Sequence, residues 1–127
     1  MAKYGNKRVC IDGITFDSKH EANRYCELRL LQRAGRIHGL ELQKPYDLLP
    51  AQYIEIPTGQ TYTRGDRKGQ PKTRRVCVEK GVKYVADFAY IENGKPVVED
   101  AKGVRTEAYR IKRKLMLYVH GIRIKEV

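Results

Sequence analysis

The segment Tyr84-Val85-Ala86-Asp87-Phe88 followed by Asn93-Gly94 and then Val97-Val98-Glu99-Asp100-Ala101-Lys102-Gly103 carries the strongest chemical content of this chain. Two apolar, β-rich runs flank Asn-Gly, the dipeptide that best predicts a two-residue hairpin turn. With Asn93 and Gly94 as the turn residues, Glu92 faces Lys95, Phe88 faces Glu99 and Asp87 faces Asp100. Side chains directly opposite on paired strands have Cβ atoms roughly 5 Å apart, and like charges there repel. A cation between them resolves the conflict. Two hard carboxylate oxygens are a typical protein share of a Mg²⁺ site, whose other ligands are water and a substrate phosphate. Strand alternation puts Lys102 on the Asp100 face, where an ammonium group can orient water and stabilise developing negative charge. The chemistry expected of such a set is metal-assisted hydrolysis of a phosphodiester.

Glu99, by the same alternation, points away from Asp100 and is expected to pair with a lysine or arginine. Asp87 interrupts an otherwise apolar strand, where an unpaired charge is costly, so a functional or paired role is expected. Glu21 has two readings. Ser18-x-x-Glu21 is a capping box, yet Glu21, Tyr25 and Leu28 also share the core-facing stripe of one helix.

The elements that position these residues can be read along the chain. Asp12-Gly13 joins Val9–Ile11 to Ile14–Phe16 in a first hairpin. A helix is expected from Ser18 to about Ala34, with Gly35 as its stop. An extended segment over residues 39–50 follows. Residues 52–80 form a basic arm, a long hairpin or a partly disordered stretch. The Asp87/Asp100 hairpin comes next. A second helix over residues 106–120, with Ala108, Ile111, Leu115 and Tyr118 as its core face, ends at Gly121. Residues 122–127 alternate as a last strand. These elements make one α/β (α+β) domain over residues 1–127, with core order α-β-β-β-α-β, a central mixed sheet flanked by helices, an N-terminal hairpin and a basic insertion.

The chain has 127 residues and a net charge of +11, with 26 Lys and Arg against 15 Asp and Glu. That field attracts polyanions, nucleic acid first and an anionic membrane surface second. Arg64, Arg67, Lys68, Lys72, Arg74 and Arg75 in the arm suit phosphate contact. Arg105, Arg110, Lys112, Arg113 and Lys114 lie on or beside the second helix, where Glu107 is the only acid between Lys102 and Lys125, so a phosphate-facing surface is expected. Tyr109 lies in that surface, either against substrate or over the core. No apolar run approaches spanning length and the first residues lack an apolar leader, so a cytoplasmic protein without membrane attachment is expected. Three cysteines, widely spaced and odd in number, read as reduced, partly buried thiols rather than zinc ligands.

The Asp87 and Asp100-Ala101-Lys102 set is similar to the D…(D/E)-x-K pattern of PD-(D/E)XK endonucleases. Phe16 to Ala22, Leu40 to Gln43, Tyr84 to Phe88, Glu99 to Gly103 and the basic helix beyond resemble a family of small phage-encoded proteins placed in that superfamily. The resemblance covers nearly the whole chain apart from about residues 52–80. Ala86 stands where the pattern has proline. The resemblance implies a Mg²⁺-dependent endodeoxyribonuclease, with Mn²⁺ able to substitute and no small-molecule cofactor. Asp87, Asp100 and the Ala101 carbonyl would be metal ligands, Glu21 a further ligand, Lys102 the catalytic lysine and Gln43 an accessory group. It also implies 5′-phosphate products, branched DNA such as a Holliday junction as substrate, a homodimer, and the cytoplasm of a bacterial host. The rival expectation is a non-catalytic nucleic-acid-binding protein of a phage replication or packaging complex. Only the opposed carboxylates with Lys102 separate the two, because a pure binder gains nothing from acids on a DNA-facing surface.

Overall fold

A computed structural model describes residues 7–101 and 104–127. Lys102 and Gly103 lie outside the described residues. The described residues form a mixed α+β protein, with eight strands and two helices among them, in two compact units. One unit joins residues 1–46 to 84–127, and the other comprises residues 47–83. The stretch expected as an arm over 52–80 makes up most of the second unit.

In the first unit, β1 (Val9–Ile11) and β2 (Ile14–Phe16) pair antiparallel, with Ile11 opposite Ile14. Asp12 in the turn has φ +54 and is tied to the first helix, since the Tyr25 hydroxyl donates to its Oδ2 at 3.3 Å and Arg29 pairs with it. Helix α1 (Lys19–Arg33) starts where expected, because Ser18 Oγ accepts the Glu21 N–H at 3.1 Å and satisfies an otherwise orphan donor. Its buried residues are Glu21, Ala22, Tyr25 and Leu28. Ala22, Tyr25 and Leu28 pack with Phe16, Ile37, Phe88, Tyr90 and Ala101 into the core, and the Phe16 and Tyr25 rings lie 5.0 Å apart.

A four-stranded sheet has the order β3-β6-β7-β8, formed by β3 (His38–Leu49), β6 (Val82–Glu92), β7 (Lys95–Asp100) and β8 (Lys125–Glu126). The β6–β7 register is the expected one, with Glu92 opposite Lys95 and Phe88 opposite Glu99. Asn93 and Gly94 have φ +52 and +75, the two left-handed residues of a primed turn whose twist matches the strands. β8 runs parallel to β7, with Asp100 opposite Glu126, so the sheet is mixed. The last strand is shorter than the expected 122–127. Ile124 is buried just before it, and the Val127 N–H donates to the Asp100 carbonyl.

Helix α2 (Glu107–His120) is capped by Thr106 and closed by Gly121 at φ +67, as expected. Its buried face is not. Tyr109 and Met116 are buried, whereas of the expected core face Leu115 is half-buried and Ala108, Ile111 and Tyr118 are exposed, Tyr118 at 88%. The rotation follows from polar partners on β8. The Tyr109 hydroxyl donates to Glu126 Oε2 at 3.0 Å, and Arg113, four residues on, pairs with the same carboxylate. That anchor turns the 109/113/116 face inward and leaves Ala108, Ile111 and Tyr118 outside.

The second unit is a long antiparallel ribbon of β4 (Gln52–Thr61) and β5 (Pro71–Glu79), so of the two readings of this stretch the hairpin is the one observed. The thiols are free, but Cys10 and Cys77 are exposed and only Cys26 is half-buried, which departs from the expected partial burial.

Glu99 shows how the first unit accommodates a fully buried charge. Arg24 Nε and Nη2 donate to its two oxygens at 2.7 Å each, and the Tyr90 hydroxyl donates as well. Burial works to raise the Glu99 pKa, but these donors and the charges of Arg24 and Lys125 outweigh it, and the group titrates below an ordinary glutamate. A depressed folded-state pKa stabilises the fold above the unfolded value and loses that contribution as pH falls through the folded one. Wild-type stability is therefore expected to fall as pH drops below the ordinary glutamate range. Glu99→Ala, which strands Arg24, should cost about 3 kcal/mol in urea unfolding at neutral pH and flatten that acid dependence. A variant that unfolds with wild-type stability and pH dependence would show that the pair is not what holds α1 to β7.

Candidate metal and catalytic site

Four acidic side chains are buried in this basic protein, and three of them form a chain of contacts distinct from the Glu99 pair. Asp87 on β6 is 3% exposed. Its Oδ2 accepts the backbone N–H of Ala101 at 2.8 Å, which fixes it against the residue that follows Asp100. Its Oδ1 accepts from Gln43 Nε2 at 3.4 Å, and the same amide nitrogen reaches Glu21 Oε1 at 3.4 Å. Asp100, the last residue of β7, accepts the Tyr84 hydroxyl at 2.8 Å. Both readings of Glu21 therefore have a counterpart. Its N–H is capped by Ser18, and its buried carboxylate joins the Gln43–Asp87 contact.

Tyr84 ties the two aspartates together electrostatically. Its hydroxyl pKa lies far above the ordinary tyrosine value, first because the ring is buried, then because of the charge and hydrogen bond of Asp100, with Tyr109 and Asp87 adding to the shift. Two negative groups near one phenol make loss of its proton unfavourable, so Tyr84 remains a donor. The Tyr109 pKa is raised too, through burial, its bond to Glu126 and the charge of Asp100. Of the two readings of Tyr109, packing on the protein has a counterpart in its burial and its bond to Glu126, and the same residue also lines a cleft.

Gln43 has a second distinguishing feature. Within β3 it takes φ +53, a left-handed backbone unusual for a non-glycine residue. Such conformations cost on the order of 1–3 kcal/mol and persist where the surroundings impose them. Here the side chain reaches two buried carboxylates.

Among the described residues, no group of three or more His, Cys, Asp and Glu side chains is gathered closely enough to hold a metal ion. The donors available near Asp87 and Asp100 are hard oxygens, which suit Mg²⁺. That ion takes one or two carboxylates from a protein and keeps water and phosphate as its other ligands.

The cations of α2 divide into groups. Arg105 Nε donates to Glu126 Oε2 at 2.6 Å, and Arg113 reaches both oxygens of Glu126 at 3.3 Å. The expectation that they face phosphate is corrected to that extent, because their acid comes from β8 and cannot be found by looking along the helix. Burial raises the Glu126 pKa, but Tyr109, Arg105 and Arg113 lower it further, leaving it below the ordinary value. Lys112 is half-buried and lines a cleft of about 320 Å³ with Tyr84, Thr106 and Tyr109. Arg110 and Lys114 are exposed. On the ribbon, Arg64, Arg67, Lys68, Arg74 and Arg75 are exposed, and Lys72 is half-buried.

The sequence reading missed the Tyr84–Asp100 bond. A tyrosine in an apolar strand looks like core, and nothing local marks its hydroxyl as a partner for a residue on the next strand.

A family model described as "Protein of unknown function (DUF1064)" matches residues 1–125, and the chain belongs to that family. No curated protein and no solved structure matches it. No described helix is long and apolar enough to cross a membrane.

The left-handed backbone at Gln43 yields a stability test. Gln43→Gly and Gln43→Ala both remove the amide, but only glycine adopts φ +53 without strain. In chemical denaturation, Gln43→Gly should be the more stable of the two by about 1 kcal/mol. The reverse order would show that position 43 does not require this backbone.

Proposed function

We propose that this protein is a Mg²⁺-dependent endodeoxyribonuclease of the PD-(D/E)XK type. The observation that carries the reading is the pair of buried carboxylates, Asp87 and Asp100, on neighbouring antiparallel strands, with Asp87 bonded to the N–H of Ala101 and both acting on Tyr84. The element order supports it. With the ribbon set aside, α1-β3-β6-β7-α2-β8 is the α-β-β-β-α-β order of that core, around a mixed sheet.

Asp87, Asp100 and the Ala101 carbonyl would hold the ion, with Glu21 contributing through its contact with Gln43. Bound Mg²⁺ would act as a Lewis acid on a phosphate oxygen and lower the pKa of water. The protein groups have their own tasks. The Ala101 N–H and the Gln43 amide fix the Asp87 carboxylate, and the Tyr84 hydroxyl fixes that of Asp100. Held this way, the acids do not have to reorganise when substrate arrives. Lys102, two residues beyond Asp100, would stabilise charge developing at the phosphate. The net charge of +11 draws DNA to the site and offsets the cost of presenting acids to a polyanion. Branched DNA, cut by a homodimer to leave 5′-phosphate and 3′-hydroxyl ends, is the proposed substrate.

The test is a labelled panel of duplex, single-stranded, flap and four-way-junction DNA, incubated with Mg²⁺, Mn²⁺ or EDTA. Wild type should cut with either metal and not in EDTA, the junction best. Asp100→Ala and Lys102→Ala should each lose on the order of a hundredfold or more in rate. Asp100→Ala should remain folded and bind DNA in EDTA at least as well as wild type, because a negative charge near phosphate has gone. Wild-type protein that cuts nothing on the panel would instead support the non-catalytic DNA-binding reading.

A further inference from the structure

The β4–β5 ribbon has a feature that the nuclease reading does not use. Four of its basic residues, Arg64, Arg67, Lys68 and Lys72, lie in or beside the turn with one acid, Asp66, while Arg74 and Arg75 stand farther along, opposite Ile56 and Glu55. The turn itself is built. Tyr62 N–H donates to the Gln70 carbonyl at 3.0 Å and Gly69 N–H to the Tyr62 carbonyl at 2.9 Å, closing the end of the ribbon. Within it, Lys68 N–H reaches the Gly65 carbonyl at 3.1 Å and Gln70 N–H the Arg67 carbonyl at 2.8 Å. The Tyr62 ring lies under two cations, Arg67 at 5.7 Å and Lys72 at 5.4 Å from its centroid, and the Arg67 guanidinium also reaches the Tyr62 hydroxyl. The result is a narrow, two-stranded, positively charged finger with a hydrogen-bonded turn.

We infer that this finger enters the major groove of B-form duplex DNA, so that the protein engages double-stranded DNA in preference to RNA duplexes or single strands. The inference rests on the reading of the protein as one that acts on DNA, and it names the form of nucleic acid held.

Shape supports the duplex. Two strands roughly 4.8 Å apart, with side chains on both faces, match a groove about 12 Å wide and are too broad for a minor groove of about 6 Å. The same match excludes duplex RNA, whose major groove is deep and too narrow for side chains to read.

The aromatic groups argue against a single strand. Proteins that hold unpaired bases stack them on aromatic rings. Here Tyr62 carries Arg67 and Lys72, and the other tyrosine of the ribbon, Tyr53, has the Arg75 guanidinium 3.9 Å from its centroid. These rings are covered by cations rather than left open for a base to stack on. At the tip, Arg64, Arg67 and Lys68 are placed to meet the backbones that border a groove.

The experiment is fluorescence anisotropy in EDTA with DNA duplex, RNA duplex and single-stranded DNA of one sequence, so that cleavage plays no part. Wild type should prefer the DNA duplex by on the order of tenfold, the worth of about two phosphate contacts. Methyl green, which occupies the major groove, should displace the protein, and netropsin, which occupies the minor groove, should not. Arg64→Ala/Arg67→Ala/Lys68→Ala, made at exposed positions and checked for folding by circular dichroism, should lose the preference and reduce the salt slope by about two to three. Equal affinity for RNA duplex or single strand, displacement by netropsin alone, or an unchanged slope in the folded triple variant would each overturn the inference. A protein that shows the groove signature yet cuts nothing would leave the finger standing and remove the nuclease. One that cuts without it would do the reverse.

Discussion

Burying carboxylates is the constraint on which the first unit is organised. Glu21, Asp87, Glu99 and Asp100 are all at most 7% exposed, and an isolated buried carboxylate would take up a proton rather than stay charged. The chain handles them in two ways. Glu99 receives a bidentate guanidinium from Arg24 and a hydroxyl from Tyr90, an arrangement that joins α1 to β7 across the core. Asp87 and Asp100 receive a backbone N–H, an amide and a phenol, neutral groups that orient a carboxylate without cancelling its charge. The first arrangement serves folding. The second leaves two oriented carboxylates on neighbouring strands, which the proposed hard-cation site would use as oxygen donors.

Much of this was legible in sequence because it is local. Asn93-Gly94 fixed the register that puts Phe88 opposite Glu99, and Ser18, Gly35, Thr106 and Gly121 marked the helix ends. Alternation was enough to separate Glu99 from Asp100 and to predict a cationic partner for Glu99, although it did not say which one. Arg24 lies 75 residues away, and nothing in a short window couples the two. The same limit misled the reading of α2. Its apolar residues form a clean stripe, but Tyr109 and Arg113 are held by Glu126 from a strand beyond the helix, and all of the stripe but half-buried Leu115 stays exposed. Gln43 is the sharpest case. The resemblance marked it as an accessory group, but a glutamine in an extended segment gives no sign that its backbone will be left-handed or which acids from α1 and β6 its amide will reach.

The positive charge is divided between functions in a way that composition conceals. Arg24, Arg105 and Arg113 are engaged with acids that hold the fold together. At the closed end of the ribbon, cation–π contacts with Tyr62 set the positions of Arg67 and Lys72, and nearer its open end Tyr53 does the same for Arg75. A net charge of +11 therefore overstates what is available to a polyanion and understates how closely the remainder is placed.

The central claim is that Asp87 and Asp100 form a divalent-metal site, and direct metal binding tests it independently of any substrate. Mn²⁺ binding followed by electron paramagnetic resonance, or Mg²⁺ binding by calorimetry, should show a site in wild type that is abolished in folded Asp87→Asn and Asp100→Asn variants and unaffected by Glu99→Gln. Wild-type protein that binds neither ion, or aspartate variants that bind as wild type does, would contradict the account.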